Sequence, residues 1–205
     1  MWRTFSYLDE HGKKIHHLQT EREEQILAET YVLSSDCVLE LGARYGTVSC
    51  ATNAVLSCKT DHVVVEPDAR VWNALESNKI RNKMNFQIIK GFCSTQSLGL
   101  HDLDNYRGYG TRSCKVEQSD IPSFTLEALE SLVSKPFNCL IADCEGYLET
   151  FLDENPTLLP RLRCIIFEKD CPKECDYNKI KQRLAELGFE QKVKLFREVW
   201  IKPVA

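Results

Sequence analysis

The stretch that most constrains how this chain can fold is VLELGARYG at positions 38–46. A short apolar run leads to Glu40, a turn containing Gly42 and Gly46 follows, and residues 47–51 can open a helix. Where a strand is followed by a tight loop and a helix, free backbone N–H groups and the positive end of the helix dipole lie at the carboxyl end of the strand. A polar cofactor can approach the glycine backbone closely there. The pattern lacks the leading glycine of the G-x-G-x-x-G fingerprint, which disfavours a nicotinamide cofactor.

A second carboxylate ends the next apolar run. Residues 62–65 (HVVV) are typical of a buried parallel strand and lead into Glu66, Pro67 and Asp68. In a Rossmann-like sheet, a carboxylate at this point accepts hydrogen bonds from both ribose hydroxyls of an adenosine, and Glu66 is placed for that role. Glu40 is then expected to face the other polar end of the cofactor, where an ammonium is a natural partner. Each carboxylate taken singly is equally consistent with a solvated strand end, but the pair together with the glycine turn favours a cofactor site.

Length and charge limit the class of protein. A chain of 205 residues predicts one domain, with a hairpin and helix over residues 1–35 belonging to the same unit as a domain over residues 36–205. The net charge is -4 and basic residues are interspersed with acidic ones, which argues against a nucleic-acid partner. No apolar segment approaches the roughly 20 residues that span a bilayer, and the first residues lead into no signal-like apolar core. We therefore expect a cytoplasmic protein without a membrane span.

The 10 cysteines do not indicate a structural zinc site. Most of them lie in apolar runs or expected helices, where a free cysteine behaves as a small core side chain. The close pair, Cys171 and Cys175, lacks the second nearby pair that such a site needs.

Two later segments are expected at the same edge of the sheet. A third strand over residues 85–89 is followed by Gly91, Phe92 and Cys93. Phe92 is a candidate for packing against an adenine, with Cys93 or Ser94 bonding its amino group, although a plain core phenylalanine is an equal alternative. Residues 97–123 break the periodicity and predict a loop or hairpin. Its candidates for recognising a polar, hydroxyl-rich molecule, weighed equally against an exposed loop, are His101, Tyr106, Arg107 and Tyr109.

Two further strands also end in acid. Residues 137–142 lead into Asp143 and Glu145, and residues 164–167 lead into Glu168 and Asp170. Burial alone does not explain four strands that end in carboxylates at one edge. Chemistry is therefore expected at this edge, close to the glycine turn.

The remaining periodicity predicts the supporting elements. Hairpins are expected within residues 5–18 and at 191–202, and helices over residues 69–79 and 179–187, the latter closed by Gly188. Another helix is expected to begin at 123–129. Thr20 is predicted to cap a helix that begins at residue 21, with Glu23 completing a capping box.

The ordered set of motifs resembles the FkbM family of S-adenosylmethionine-dependent methyltransferases from about residue 36 to residue 202. The matching pieces are VLELGARYG at 38–46, VEPD at 65–68, SFTLE at 123–127, IADCEG at 141–146 and IIFE at 165–168. The resemblance implies an α/β, Rossmann-like class I methyltransferase fold, a seven-stranded mixed sheet with helices on both faces and an antiparallel last strand. It also implies O-methylation of a sugar hydroxyl, such as that of the deoxyhexose rhamnose in a glycan. Cys144 stands where the family commonly has valine.

The cysteine-rich composition is also similar to a methyltransferase domain of a chlorovirus glycan-building protein. That similarity implies a viral chain that is part of a longer multidomain protein and acts in the host cytoplasm.

The resemblance implies a role for each motif. S-adenosylmethionine is expected to be held by Glu40, Gly42, Ala43, Arg44, Tyr45, Gly46, Glu66, Pro67, Asp68, Gly91, Phe92, Cys93 and Asp143. Asp143 is the first candidate for the general base, followed by His101 or Glu145, and Tyr106, Arg107 and Tyr109 are candidates for binding a carbohydrate acceptor. Alternatively, Asp143, Glu168 and Asp170 hold a Mg²⁺ ion that polarises the hydroxyl, or these carboxylates simply repel one another and spread apart in water.

Other functions remain open from the residues. A catalytically silent cofactor-binding module needs Glu40, Gly42 and Glu66 but not Asp143, and a methyltransferase of a non-sugar hydroxyl needs the same set as a sugar enzyme. A nicotinamide oxidoreductase would bind NAD instead. A nucleic-acid methyltransferase is disfavoured by the acidic balance and by the lack of an Asn-Pro-Pro-Tyr-like segment after the fourth strand.

Overall fold

The computed structural model describes residues 5–16, 21–102 and 111–203. The strands of these segments are β1 (Tyr7–Leu8), β2 (Lys14–Ile15), β3 (Val38–Leu41), β4 (His62–Glu66), β5 (Gln87–Lys90), β6 (Phe92–Cys93), β7 (Leu98–Asp102), β8 (Thr111–Lys115), β9 (Ser123–Phe124), β10 (Cys139–Ala142), β11 (Cys164–Glu168), β12 (Glu190–Lys194) and β13 (Arg197–Ile201). The helices are α1 (Arg22–Tyr31), α2 (Thr47–Val55), α3 (Trp72–Arg81), α4 (Leu126–Glu130), α5 (Leu148–Glu154), α6 (Leu158–Arg161) and α7 (Tyr177–Glu186).

The central sheet has seven strands in the order β12-β13-β11-β10-β3-β4-β5. Neighbouring strands from β11 through β5 are parallel, whereas β13 runs antiparallel to both β11 and β12. This confirms the expected mixed sheet with an antiparallel last strand. The chain moves from β3 outward through β4 and β5 and then returns to β10 on the other side of β3. The crevice above the carboxyl ends of β3 and β10 is therefore a topological switch point, where open α/β sheets bind ligands.

The strand register brings the predicted acidic ends to one level. Leu41 at the end of β3 pairs with Val65 of β4 and with Ala142 of β10. The next residues along the three strands are Gly42, Glu66 and Asp143, so all three meet at one edge. Strands β3, β4 and β10 are buried at every position, as expected for parallel strands with both faces covered.

The two faces of the sheet have different partners because side chains alternate along each strand. On one face, Leu39 and Leu140 pack with Phe151 of α5 in the largest apolar cluster. On the other face, Val38 and Ile141 pack in a second cluster with residues of α1 and α2. Glu40 lies on the same face of β3 as Val38, so its side chain points toward α1 and α2.

The predicted helices form, with shifts at their ends. The helix expected over 69–79 is α3, Trp72–Arg81, and the helix expected over 179–187 is α7, Tyr177–Glu186, after which Gly188 has a left-handed φ of 81°. Thr20 lies outside the described residues, and Glu21 occupies the N-cap position of α1 without making a side-chain capping hydrogen bond. None of the helices that the structure describes is both long enough and apolar enough to cross a membrane.

Residues 5–16 dock on α3 through two asparagines. The side chain of Asn78 accepts from Leu8 N at 2.9 Å and donates to Leu8 O at 2.9 Å, as a neighbouring strand would. Asn82 makes the same pair of bonds to the backbone of Ser6. The predicted hairpin, β1 with β2, is confirmed, and these contacts attach the described residues 5–16 to the segment Asn78–Asn82 at the end of α3.

Candidate functional site

A cleft opens above the carboxyl ends of β3, β4 and β10. It is an open cleft of about 780 Å³ when the space out to the solvent is counted. Nine of the residues predicted for cofactor binding or catalysis line it: Gly42, Arg44, Glu66, Pro67, Asp68, Phe92, Cys93, Asp143 and Glu145. The remaining lining residues are Glu21, Leu41, Val65, Leu100, Thr111, Ser113, Cys144 and Tyr147.

The glycine loop depends on a very close approach of two strand ends. Gly42 has a φ of +86°, and a Cβ at this position would lie 1.7 Å from the backbone oxygen of Asp143. Arg44 is also left-handed, with a φ of 44°, which tightens the turn before α2. Ala43 and Tyr45 are buried in core clusters, so they support the loop without lining the cleft, and Gly46 does not line it either.

Glu66 is the carboxylate best placed for a ribose. One of its oxygens accepts from Arg44 N at 2.6 Å and the other from Asp68 N at 2.7 Å. Each carboxylate oxygen has a second lone pair, so both can still accept from a pair of vicinal hydroxyls. Burial raises the pKa of Glu66 to about 7. Asp68 is held by Arg70, whose Nε lies 2.8 Å from Asp68 Oδ1.

The segment after β5 supplies the apolar part of the cleft. Phe92 and Cys93 line it, whereas Gly91 does not. A Cβ on Gly91 would lie 2.2 Å from the backbone oxygen of Pro122, so this glycine allows two chain segments to approach closely. Ser94 is turned away from the cleft, since its hydroxyl donates to Glu154 at 2.9 Å.

The expectation that Glu40 faces the cofactor is wrong for this structure. Glu40 is 1% exposed, and its oxygens accept from Ser49 Oγ at 2.6 Å and from His62 Nε2 at 3.0 Å. Strand alternation directs the Glu40 side chain toward α2, two residues before the turn at Gly42. A smaller pocket of about 300 Å³ borders Glu40 and Asp143, but the main cleft does not reach Glu40.

The two acidic candidates for catalysis lie in the cleft, and the histidine does not. Burial, followed by the charge of Glu168, raises the pKa of Asp143 well above its usual range. Glu145 lines the cleft with a left-handed φ of 51°. His101 is exposed, because it follows Leu100 on β7 and adjacent strand residues point to opposite sides. The proposed role of His101 as a base is therefore corrected.

The predicted acceptor-binding residues Tyr106, Arg107 and Tyr109 lie outside the described residues. The strands on either side of them pair as a hairpin, β7 with β8. Leu100 is the cross-strand partner of Ser113, and both line the cleft together with Thr111. The hairpin therefore contributes two hydroxyl groups to the cleft.

The predicted metal trio is divided in the structure. Carboxylate oxygens of Asp143, Glu168 and Glu24 lie within 4.8 Å of one another, close enough to share one metal ion. Asp170 belongs to a different group, with Glu145 and Cys171. The candidate metal ligands around Asp143 are therefore Glu24 and Glu168, and Asp170 is not one of them. Glu24 is 3% exposed and its Oε2 atom has no hydrogen-bond partner, which fits a set of oxygen ligands.

Arg197 offsets part of the negative charge of Glu24 and Glu168. Its guanidinium pairs with Glu24 and lies 2.6 Å from Glu168 Oε2. Burial and a side-chain hydrogen bond with Glu24 raise the pKa of Glu168 to about 8, although the charge of Arg197 acts in the opposite direction.

Sequence reasoning missed several residues of the cleft and of the acidic group beside it. Glu21 and Glu24 come from the beginning of α1, and no local motif marks them. Thr111 and Ser113 carry a detectable signal, because they alternate along a strand and therefore share a face. Tyr147 follows the acidic turn after β10.

Comparison with known proteins shows the fold. No protein-family model and no curated protein sequence matches the chain. An O-methyltransferase from Bacillus cereus in complex with SAH is 13% identical with a TM-score of 0.52, over 88% of this chain and 80% of that chain. A methyltransferase from Pyrococcus furiosus is 16% identical with a TM-score of 0.51, over 91% and 85%. An rRNA methylase from Streptococcus thermophilus is 10% identical with a TM-score of 0.52, over 89% and 95%.

These similarities cover most of each chain, at identities that establish architecture alone. One of these proteins is an O-methyltransferase and another is an rRNA methylase, so the likeness does not select an acceptor. Together with the strand order, it shows that the chain has the Rossmann-like α/β fold of class I methyltransferases.

Proposed function

We propose that this protein transfers a methyl group from S-adenosylmethionine to a hydroxyl oxygen. The observation that carries the proposal is the convergence of Gly42, Glu66 and Asp143 on one cleft at the switch point of a methyltransferase-type sheet. A glycine turn, a diol-binding carboxylate and a buried acid are the groups that an adenosyl sulfonium and an alcohol together require.

The adenosine part of the cofactor has a complementary surface in the cleft. Glu66 accepts hydrogen bonds from the ribose hydroxyls, and Phe92 packs against the adenine. Gly42 carries no side chain, which lets the Asp143 backbone pack directly against the turn and places Asp143 beside it in the cleft.

Methyl transfer is an in-line displacement. The bond from sulfur to the methyl carbon breaks as the bond from the acceptor oxygen to that carbon forms, and the sulfonium becomes a neutral thioether. Alignment of the three atoms is the main contribution of the protein and is worth up to ~7–11 kcal/mol in favourable intramolecular cases.

Asp143 is proposed to take the proton that the acceptor hydroxyl loses. Burial, followed by the charge of Glu168, raises the pKa of Asp143. A sulfonium cation nearby favours the ionised carboxylate, so the base becomes active when the methyl donor is present. A positioned general base typically contributes ~10²–10⁴-fold.

Mg²⁺ dependence is the alternative to general-base catalysis by Asp143. Glu24, Asp143 and Glu168 carry three acids, and the Arg197 guanidinium offsets one of them. When bound, Mg²⁺ would be held by these oxygens and would lower the pKa of the acceptor hydroxyl.

The acceptor is proposed to be a sugar hydroxyl, such as that of rhamnose in a glycan. The ordered FkbM-like motifs support this, and so do the hydroxyls of Thr111 and Ser113 at the mouth of the cleft. The FkbM-like and chlorovirus-like resemblances also support a glycan-modifying domain of a longer viral chain.

Titration calorimetry with S-adenosylhomocysteine and with NAD tests cofactor choice, and binding of NAD alone would overturn the proposal. Incubation with S-adenosylmethionine and a panel of rhamnosides, fucosides, phenols and RNA, with and without EDTA, tests the reaction by mass detection. A single-methyl increment on a glycoside is expected. Cofactor binding without an increment on any acceptor would favour the silent module, and an increment on phenols or RNA alone would refute the sugar assignment.

A further inference from the structure

Glu21 is a cleft residue that the function described so far does not use. It precedes α1, far in sequence from the glycine loop, and its side chain lines the same cleft as Glu66 and Asp143. Its side chain is mostly buried and accepts a hydrogen bond from Thr47 Oγ1, at the first residue of α2.

The glycine loop lies between two carboxylates. Glu66 contacts the middle of the loop through Arg44 N, and Glu21 contacts its end through Thr47. A ligand whose ribose binds Glu66 must extend its other end along the loop, past Gly42. Glu40 does not supply a carboxylate on that side of the cleft, because its side chain is 1% exposed and does not line the cleft.

The backbone at Glu21 is unusual for a glutamate. Its φ of 52° and ψ of 32° are left-handed, a conformation that glycine or asparagine adopts more easily. The side chain also makes no capping hydrogen bond to α1, although it occupies the N-cap position. Local structure therefore gives no reason for a glutamate here, and strained backbone of this kind is concentrated at functional sites.

The acidic side chains near Glu21 favour the binding of a cation beside it. Burial raises the pKa of Glu21 to about 7. The carboxylates of Glu24 and Glu40 act in the same direction, against the hydrogen bond from Thr47 and the charge of Arg44. A bound cation in this part of the cleft would reverse both effects, because it compensates for lost hydration and for repulsion between acids.

We infer that Glu21 binds the α-ammonium group of the methionine moiety of the cofactor. This inference rests on the proposed function, since it assumes an adenosyl sulfonium ligand. It replaces Glu40, which the sequence favoured for the role, with a residue contributed by the segment before α1.

The test compares two ligands that share the adenosine and the thioether. S-adenosylhomocysteine carries the amino-acid tail, and 5′-methylthioadenosine lacks it. In Glu21→Gln, the amide oxygen can still accept from Thr47 but the charge is lost. Calorimetry is expected to show about tenfold or greater weakening for S-adenosylhomocysteine and less than about twofold change for 5′-methylthioadenosine.

Three controls make the result specific. Glu23→Gln removes a charge from a side chain on the same helix that is 69% exposed and should change neither affinity. Glu66→Gln should weaken both ligands, because both contain the ribose. Glu21→Gly removes the left-handed strain, so it should melt no lower than the natural protein and still lose the affinity that depends on the tail.

Each outcome is decisive. Equal weakening of both ligands by Glu21→Gln, or no weakening of either, would overturn the assignment of Glu21 while leaving cofactor binding intact. Failure of the natural protein to bind either ligand would instead overturn the proposed function.

Discussion

Replacing Gly42 with alanine should damage both stability and the site. The added Cβ would lie 1.7 Å from the backbone oxygen of Asp143 and 2.8 Å from its carbonyl carbon. These are backbone atoms in the centre of the sheet, so no side chain can rotate away to relieve the contact. The strand ends of β3 and β10 must separate, which displaces Asp143.

The expected cost has two parts. Overpacking of a well-packed region costs about 1–3 kcal/mol, and a left-handed alanine adds about 1 kcal/mol. In a chain of this size, 1 kcal/mol corresponds to roughly 2–4 °C in Tm, so Gly42→Ala should lower Tm by about 5–15 °C. The same variant should lose most of its affinity for S-adenosylhomocysteine, because the glycine loop is displaced.

Gly188→Ala is the matched control. Gly188 has a φ of +81°, close to that of Gly42, but a Cβ there would meet nothing within 4 Å. This variant should show only the backbone cost of about 1 kcal/mol and should keep normal ligand affinity. Thermal melting and calorimetry of both variants separate strain from collision. If Gly42→Ala melts no lower than Gly188→Ala and binds the ligand normally, the close approach of β3 and β10 is refuted.

Three further predictions follow from the described contacts. Asp143→Asn should reduce methyl transfer by ~10²–10⁴-fold while S-adenosylhomocysteine still binds, and unchanged turnover in single-turnover assays would exclude Asp143 as the base. The raised pKa of about 7 for Glu66 means that the folded chain keeps a proton that the unfolded chain releases near pH 4.5, so the free energy of unfolding without ligand should fall as the pH rises from about 4.5 through 7. Glu66→Gln should flatten this decline in urea titrations across the range, and an identical pH profile would contradict the assignment. His62→Phe leaves the buried carboxylate of Glu40 without its hydrogen-bond partner on β4 and should cost about 1–3 kcal/mol in urea unfolding, whereas Lys192→Ala, which breaks an exposed pair, should cost less than about 1 kcal/mol; equal losses would show that the buried contact contributes little.

Local sequence patterns predicted much of the site. Apolar runs that end in acid predicted β3, β4, β10 and β11, because buried parallel strands need such runs and their ends share one edge. Gly42, Glu66 and Asp143 were identified on this basis, and parallel register brings them together. The antiparallel last strand was expected from the family resemblance.

The incorrect site predictions concern the direction in which a side chain points, or its contacts with residues from distant segments. Glu40 was expected in the cleft, but its position on β3 directs it toward Ser49 and His62. His101 was expected beside the substrate, but its neighbour Leu100 is the residue that faces the cleft. The parity of a strand is visible in a sequence only when its flanking pattern alternates clearly.

Hydrophobic runs and local backbone preferences were enough to predict the parallel strands of the central sheet, the glycine turn and the edge at which the acidic residues collect. Tertiary structure alone decided that Glu21 lines the cleft and that Glu24, not Asp170, joins Asp143 and Glu168. The reason is physical: both glutamates come from the segment at the start of α1, and only packing of that helix against the sheet brings their charges to the strand ends.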